Sequence, residues 1–199
     1  MSNYSFAEHA HRFAVWAAGR AYSRSGGDGG GYSVPYAQRM LEAAGMRDIN
    51  TPVDLPCKEG IDAFIHERIE AVRAARPATY VHHKTGKNET FRCTYGRAQK
   101  LVNVYLKSKL VCGGYHDDER VERLHPPIDR KLLIGLSAFC EVVADQDEYA
   151  EFRDDLLDAQ ALGDSWVIFT QSTYEAYIKA IKSLQQGKPL WAVEEHWLP

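Results

Sequence analysis

Two stretches decide the fold of this chain: TYGRAQKLVNVYLK at residues 94–107 and HPPID at residues 125–129. In a helix each residue turns by about 100°, so residues three or four apart share a face. One face of the first stretch would carry Gly96, Lys100, Asn103 and Lys107. The apolar side chains of that stretch lie largely elsewhere and can pack inward. The first stretch therefore predicts a helix that presents Lys100 on a basic face.

The second stretch predicts a rigid turn, because Pro126 and Pro127 restrict the backbone just before Asp129, which stands where a helix starts. A lysine and an aspartate on adjacent helices can open a glycosidic bond through a Schiff base. The unprotonated amine attacks the sugar carbon, and the carboxylate stabilises the oxocarbenium-like sugar or helps to deprotonate the amine. Lysines on helix surfaces and aspartate helix caps are also common, so a purely structural role is the alternative.

The rest of the chain has the pattern of a mainly α-helical protein. Apolar residues make up 45% and charged residues 26% of its 199 residues, which is typical of globular proteins. We predict a single compact helical domain over residues 1–199, with two lobes, about 1–78 and 79–199, around one cleft as the other arrangement. The helix after Asp129 is the most apolar and is expected to be central. Residues 79–93 are predicted to be a loop, with a short hairpin as the alternative.

Two expectations concern the N-terminal part of the chain. Residues of about 5 to 24 form a predicted helix whose apolar side chains share a face, and that face is expected to be buried. The side chains of this face are Phe6, Ala10, Phe13, Ala17 and Ala21. The glycine-rich residues 25–31 that follow are predicted to be a loop, because so many glycines do not form a stable element.

Charge is distributed unevenly along the chain, although the net charge is only −3. Residues 84–109 hold seven bases and one acid, whereas residues 132–199 hold four bases and twelve acids. A local basic stripe on an acidic protein is what a focused phosphate contact requires, and a solvated helix face is the other interpretation. The expected DNA phosphate contacts are Lys84, Lys87, Arg92 and Arg97.

Several classes of protein are disfavoured by the sequence. No run approaches the roughly 20 apolar residues that span a bilayer, and the N-terminus lacks the apolar core of a signal peptide. We therefore expect a cytoplasmic protein without a membrane partner. The four cysteines are scattered without a CxxC pair, which predicts reduced thiols instead of a disulfide framework, a zinc site or an iron–sulfur centre. Neither a metal nor a cofactor is expected.

The two stretches also resemble the archaeal 8-oxoguanine DNA glycosylase/lyases, a branch of the helix-hairpin-helix DNA glycosylase superfamily. The similarity lies in the pair Gln99-Lys100, in Lys107 seven residues later, and in Pro127-Ile128-Asp129 after a gap. It implies a helix-hairpin-helix DNA glycosylase-like fold and a bifunctional DNA glycosylase that also cleaves at abasic sites. Lys100 would form the Schiff base and Asp129 would be the catalytic carboxylate. Lys107, Gln99 and Asn103 would support them.

The C-terminal segment extends this resemblance. Pro189-Leu190, followed by Trp197, looks like the segment of the family that holds the extruded base, where a tryptophan stacks on the base and an acid binds its edge. Trp197 matches the tryptophan. At the position of the family's acid this chain has Val193, and Glu194 is the next residue. The resemblance implies DNA as the partner and an oxidised guanine, or another damaged or modified base, as the group removed. Such a base must be flipped out of the duplex.

Two other functions are compatible with the sequence. One is a non-catalytic nucleic-acid-binding or interaction protein on the same scaffold. The other is a ribonuclease toxin of the HEPN type, because Arg120 and His125 match its Arg-x4–6-His pattern, in which both residues act on a 2′-hydroxyl and a phosphate. Here that pattern abuts Pro126 instead of lying inside a long helix, which disfavours the ribonuclease.

Overall fold

The computed structural model describes residues 4–22, 33–82 and 85–197. Its regular elements, in chain order, are helices α1 (Phe6–Tyr22), α2 (Val34–Ala43) and α3 (Ile61–Ala74), strands β1 (Thr79–Val81) and β2 (Asn88–Thr90), and helices α4 (Tyr95–Leu106), α5 (Arg130–Val142), α6 (Ala150–Leu162) and α7 (Gln171–Gln185). The predicted mainly α fold is confirmed. The glycine-rich residues 25–31 and Lys84 lie outside the described residues.

Shorter helical segments connect these elements. Helix α4 continues into π-helical turns at Lys107–Tyr115, where Gly114 has a positive φ of 94°. Short 3-10 segments lie at Trp166–Ile168 and Leu190–His196. Strands β1 and β2 form an antiparallel pair in which Tyr80 faces Glu89. The loop predicted for residues 79–93 is therefore wrong in part, and its hairpin alternative describes the segment better.

Helix α4 is the centre of the protein. Every residue of α4 except Val104 is buried, and the helix packs against α1, α3, α7 and the Trp166–Ile168 segment. Buried apolar residues of α1 to α7 form one core cluster around it. Removal of this apolar area from water is the main force that holds the helices together.

Helix α5 is not central, contrary to the prediction from its apolar sequence. Its inner face buries Leu132 and Leu136 against the core, but Ile134 is 57% and Val142 is 74% exposed. The physical reason is that α5 packs on one side only, against α6 and the Leu190–His196 segment. The apolar composition of a helix therefore did not indicate which helix is surrounded on all sides.

The predicted inner face of α1 is also wrong. Phe6 is 85% exposed and Phe13 is exposed as well, whereas the side chains that pack inward include His11 and Ala14. His11 lies between the Tyr105 hydroxyl at 2.8 Å and a Glu42 carboxylate oxygen at 3.0 Å. These two polar contacts hold His11 toward α4 and α2. Phe6 and Phe13 therefore lie on the outer side of α1. In the described part of the chain, no helix combines the length and the apolarity needed to cross a membrane.

Two helical glycines allow backbone segments to approach closely. A Cβ atom at Gly96 of α4 would overlap the carbonyl oxygen of Trp166, and a Cβ atom at Gly135 of α5 would overlap that of His196. Glycine is unfavourable inside a helix, by about 1 kcal/mol relative to alanine. At these two positions the absence of a side chain allows the Trp166–Ile168 segment to pack against α4 and the Leu190–His196 segment to pack against α5.

We expect Gly96→Ala to destabilise the protein by more than about 2 kcal/mol, because backbone must move away from the added methyl group. Urea unfolding of the two proteins measures this difference. The matched control is Gly113→Ala, since a Cβ atom there would come no closer than 3.9 Å to Tyr115. Equal losses of stability in both variants would contradict the proposed close packing at Gly96.

Candidate functional site

Lys100 and Asp129 are brought into contact by the fold. Lys100 lies in the middle of α4 and is 7% exposed, and Asp129 is the residue that caps the N-terminus of α5. Lys100 Nζ lies 3.1 Å from Asp129 Oδ2, although the two residues are 29 positions apart. Asp129 Oδ1 accepts hydrogen bonds from the backbone N–H groups of Lys131 at 3.0 Å and Leu132 at 3.1 Å. One carboxylate oxygen of Asp129 therefore caps α5, and the other contacts the amine of Lys100.

The environment of Asp129 favours its ionised form. Burial raises the pKa of its carboxyl group, but the charge of Lys100 and the hydrogen bonds from Leu132, Lys100 and Trp197 outweigh burial and hold that pKa below its ordinary value. Hydrogen bonds and an opposite charge both stabilise a carboxylate in this way. The pair is therefore a half-buried carboxylate beside a buried amine.

Gln99 fixes the turn that carries Asp129. Its Nε2 donates to the carbonyl oxygen of Ile128 at 2.7 Å, and its Oε1 accepts from the backbone N–H of Ile128 at 3.2 Å. Asn103, one helical turn further along α4, donates to the Pro126 carbonyl oxygen at 3.2 Å. The predicted supporting residues Gln99 and Asn103 thus hold the HPPID backbone against the helix that bears Lys100.

Trp197 lies on the other side of Asp129. Its indole Nε1 donates to Asp129 Oδ1 at 3.0 Å, and Lys131 Nζ lies 5.1 Å from the centre of its ring. The close approach at Gly135 places the segment that precedes Trp197 on α5. The structure therefore places this aromatic side chain, which sequence similarity related to a flipped base, in contact with Asp129.

Lys107 and Glu194 form an ion pair near the same carboxylate. Burial raises the pKa of Glu194, with a further contribution from the charge of Asp129, and Lys107 only partly opposes these effects. Glu194 Oε1 is buried without a hydrogen-bond partner among the described residues. A buried acceptor without a partner is unusual, and it is suited to a donor on a bound molecule.

Trp166 is a site residue that the sequence analysis missed. Lys100 Nζ lies 4.6 Å from the centre of its ring, which is within the range of a cation–π interaction. Trp166 also borders a cavity of about 820 Å³ that begins at Arg130 and runs along α5 past Leu133. Its only signal in the sequence is indirect, namely the glycine at position 96 inside a predicted helix.

The predicted phosphate contacts divide into exposed and buried residues. Lys87 and Arg92 are exposed, as a phosphate contact requires. Arg97 is 8% exposed and donates to the carbonyl oxygen of Arg92 at 3.1 Å, so the structure does not place its guanidinium on the surface where a phosphate contact was predicted. Arg130 and Lys131, which directly follow Asp129, are both exposed and were missed, although their position in the sequence next to the candidate carboxylate was a usable signal.

The ribonuclease arrangement of Arg120 and His125 is absent from the described structure. His125 is 3% exposed, and its two ring nitrogens lie 2.8 Å from the Tyr174 hydroxyl and 3.0 Å from an Asp62 carboxylate oxygen. Arg120 instead donates to the carbonyl oxygen of Pro52 at 3.0 Å. A buried imidazole with both nitrogens occupied is not placed to act on an RNA hydroxyl, which disfavours the ribonuclease interpretation.

Neither the protein-family models, nor the curated proteins, nor the solved structures gave a match to this chain. Among the described residues no group of three or more histidine, cysteine, aspartate or glutamate side chains could hold a metal ion. The function is therefore inferred from the side chains around Lys100 and Asp129.

We expect Asp129→Asn to lower the free energy of unfolding at pH 7 by about 3 kcal/mol, because the variant leaves the buried Lys100 charge unpaired. The pKa of Asp129 is lower in the folded chain than its ordinary value of 3.8. Protonation of Asp129 therefore favours unfolding. The stabilisation that its carboxylate gives to the folded chain is present above about pH 4 and is lost as the pH falls through the folded-state pKa. Urea unfolding from pH 7 to pH 2.5 measures the gap between the free energies of unfolding of the wild type and of Asp129→Asn. A gap that stays constant would contradict the ion pair.

Proposed function

We propose that this chain is a bifunctional DNA glycosylase with a helix-hairpin-helix-like fold, which removes a damaged or modified base through a Schiff base on Lys100. The observation that carries the proposal is the contact of 3.1 Å between Lys100 Nζ and Asp129 Oδ2. A buried amine, a carboxylate that is ionised and an adjacent tryptophan are the groups this chemistry requires. The motif resemblance on which Lys100 and Asp129 were chosen is independent of their contact in space.

The reaction uses both members of the pair. Asp129 Oδ2 holds Lys100 Nζ in place at 3.1 Å. The ammonium loses its proton to water, Asp129 stays ionised, and the amine then attacks C1′ of the sugar. A bond forms between Nζ and C1′, while the glycosidic bond breaks and the base leaves with its electron pair. The negative charge of Asp129 stabilises the positive charge that develops on the sugar. Ring opening then gives the Schiff base, from which the strand is cleaved by elimination.

The extruded base would be held between the pair and the C-terminal segment. Trp197 supplies an aromatic face next to Asp129, and stacking of a base on such a side chain is worth about 1–3 kcal/mol. The unpartnered oxygen of Glu194 accepts a hydrogen bond from an N–H group on the edge of the base. A purine with N–H donors on its edge, such as an oxidised guanine, satisfies that oxygen.

Exposed cations around the site would bind the DNA backbone. Arg130 and Lys131 flank Asp129 on the surface, and Lys87 and Arg92 supply further exposed charge. Contacts to phosphates give most of the affinity of such a protein and place the target nucleotide over the catalytic groups. A protein of the same fold that binds nucleic acid without catalysis would use these cations too, so the covalent step separates the two functions.

We expect sodium borohydride to trap the wild-type protein on DNA that contains a substrate base, and Lys100→Gln to abolish the trapped adduct. The reason is that only the Schiff base is reducible to a stable bond, and glutamine cannot form it. Gel electrophoresis on a panel of oxidised and modified oligonucleotides measures the adduct and identifies the base.

The matched control for this experiment is Lys109→Gln. Lys109 is a second buried lysine, and burial lowers its pKa to about 8. Its contacts, however, are the Tyr105 hydroxyl and the Arg47 carbonyl oxygen instead of a carboxylate. Loss of the adduct in Lys109→Gln but not in Lys100→Gln would show that Lys109, and not Lys100, forms the Schiff base. DNA binding without an adduct on any substrate would favour the non-catalytic binding protein.

We expect the double variant Arg130→Gln/Lys131→Gln to bind DNA more weakly while it retains the ability to form the adduct at saturating DNA. Each phosphate contact that is lost reduces the slope of log Kd against log salt by about 1. Fluorescence anisotropy at several salt concentrations measures this slope. Lys58→Gln, which removes an exposed cation that is paired with Glu119, is a suitable control. An unchanged slope in the double variant would exclude Arg130 and Lys131 from the interface.

A further inference from the structure

A chain of buried polar side chains links the surface of the protein to the backbone beside Asp129. It runs from Asp62 on α3 through His125 to Tyr174 on α7, and from there to Asn103 and Gln99 on α4. His125, Tyr174, Asn103 and Gln99 are all buried, whereas the side chain of Asp62 is 51% exposed. The last member, Gln99, holds both backbone groups of Ile128, the residue before Asp129.

The direction of each hydrogen bond in this chain follows from its two ends, Asp62 at the surface and the backbone of Pro126 and Ile128 beside Asp129. The hydrogen bond from His125 holds the pKa of Asp62 well below its ordinary range, so Asp62 is a carboxylate and only accepts. Burial lowers the pKa of His125, so its ring is neutral and has a single N–H group. That N–H group must be at Nε2, which faces Asp62 at 3.0 Å. Nδ1 is then an acceptor.

The remaining directions follow from the tautomer of His125. The Tyr174 hydroxyl donates to His125 Nδ1 at 2.8 Å, so its oxygen is left to accept from Asn103 Nδ2 at 2.9 Å. The amide nitrogen of Asn103 therefore faces Tyr174, Gln99 Oε1 and the Pro126 carbonyl oxygen. Gln99 Oε1 accepts from Asn103 and from the N–H of Ile128, which turns its own amide nitrogen toward the Ile128 carbonyl oxygen.

We propose that Asp62, His125 and Tyr174 are positioning residues for Asp129, which act by holding the side chains of Asn103 and Gln99 in place and through them the backbone of Ile128. This inference assigns to His125 a role in place of the ribonuclease role, and it rests on the proposed function of Lys100 and Asp129. A displacement of the carboxylate by about 1 Å from the sugar costs as much as two orders of magnitude in rate. The chain therefore acts on the reaction without touching the DNA.

The test compares two reactions of the same full-length protein. Departure of a base needs Asp129, whereas Schiff-base trapping on DNA with a ready-made abasic site needs only the Lys100 amine. We expect Tyr174→Phe to slow base excision roughly tenfold and to leave abasic-site trapping within about twofold of wild type. The matched control is Tyr177→Phe, because Tyr177 is also buried on α7 but stacks on Phe169, outside the chain.

Two outcomes of this comparison would overturn the inference. Base excision by Tyr174→Phe at the wild-type rate would show that the hydroxyl is not needed to position Asp129. An equal loss of both reactions would indicate general damage to the site. Asp62→Asn serves as a second variant, because its half-exposed position keeps the core intact. It is expected to slow excision more than trapping, and equal effects on both reactions would count against the chain.

Two further readouts do not depend on any activity toward DNA. Nitrogen-15 NMR of the histidine rings is expected to show neutral His125 with its proton on Nε2, and a proton on Nδ1 would overturn the proposed direction. Hydrogen exchange of the Ile128 amide is expected to accelerate about tenfold in Tyr174→Phe and not in Tyr177→Phe. If the wild type forms no adduct on any DNA, the proposed function fails, and these measurements still decide whether the chain holds Ile128.

Discussion

The structure depends on one constraint, namely that helix α4 is buried on nearly every side and yet carries polar side chains. Gln99 and Asn103 have no exposed surface, and Lys100 is almost as deeply buried. Each buried donor must find an acceptor inside the protein, because an unsatisfied buried polar group costs about 1–3 kcal/mol. Most of these acceptors are supplied by the segment between His125 and Asp129. The hydrogen-bonding needs of one helix therefore determine the path of a turn more than twenty residues away.

The sequence predicted those features whose signals are local. Two prolines followed by an aspartate before an apolar run predicted the turn and the helix start, and Asp129 does cap α5. The sequence did not predict which helix is central, which face of α1 is buried, or that Trp166 lies beside Lys100. These properties depend on partners that are far apart in the chain, as the contact of His11 with Tyr105 illustrates. Periodicity identifies a face of a helix, but tertiary contacts choose which face is buried.

The distribution of charge on the surface was also not predictable from the sequence alone. Seven bases between residues 84 and 109 suggested one positive surface, but Arg97 and Lys109 are buried, and Lys107 is paired with Glu194. The helical twist distributes neighbouring charges over opposite faces of α4 and its continuation. Burial lowers the pKa of Lys109 to about 8, so part of this charge costs stability instead of attracting an anion. Charge density along a sequence predicts a binding surface only where the side chains share a face.

A stability argument alone does not account for the pair formed by Lys100 and Asp129. Desolvation of two charges costs about as much as their attraction returns, and apolar side chains of similar size often stabilise a core as well. Asp129 could cap α5 without Lys100, since the cap uses Oδ1 and the amine contacts Oδ2. The site nevertheless keeps an amine, an ionised carboxylate and two tryptophans together, and the glycines at positions 96 and 135 admit the backbone segments that carry or precede those tryptophans. Such an arrangement is costly for the fold and suited to chemistry at a sugar carbon, which is the physical reason for the function that we propose.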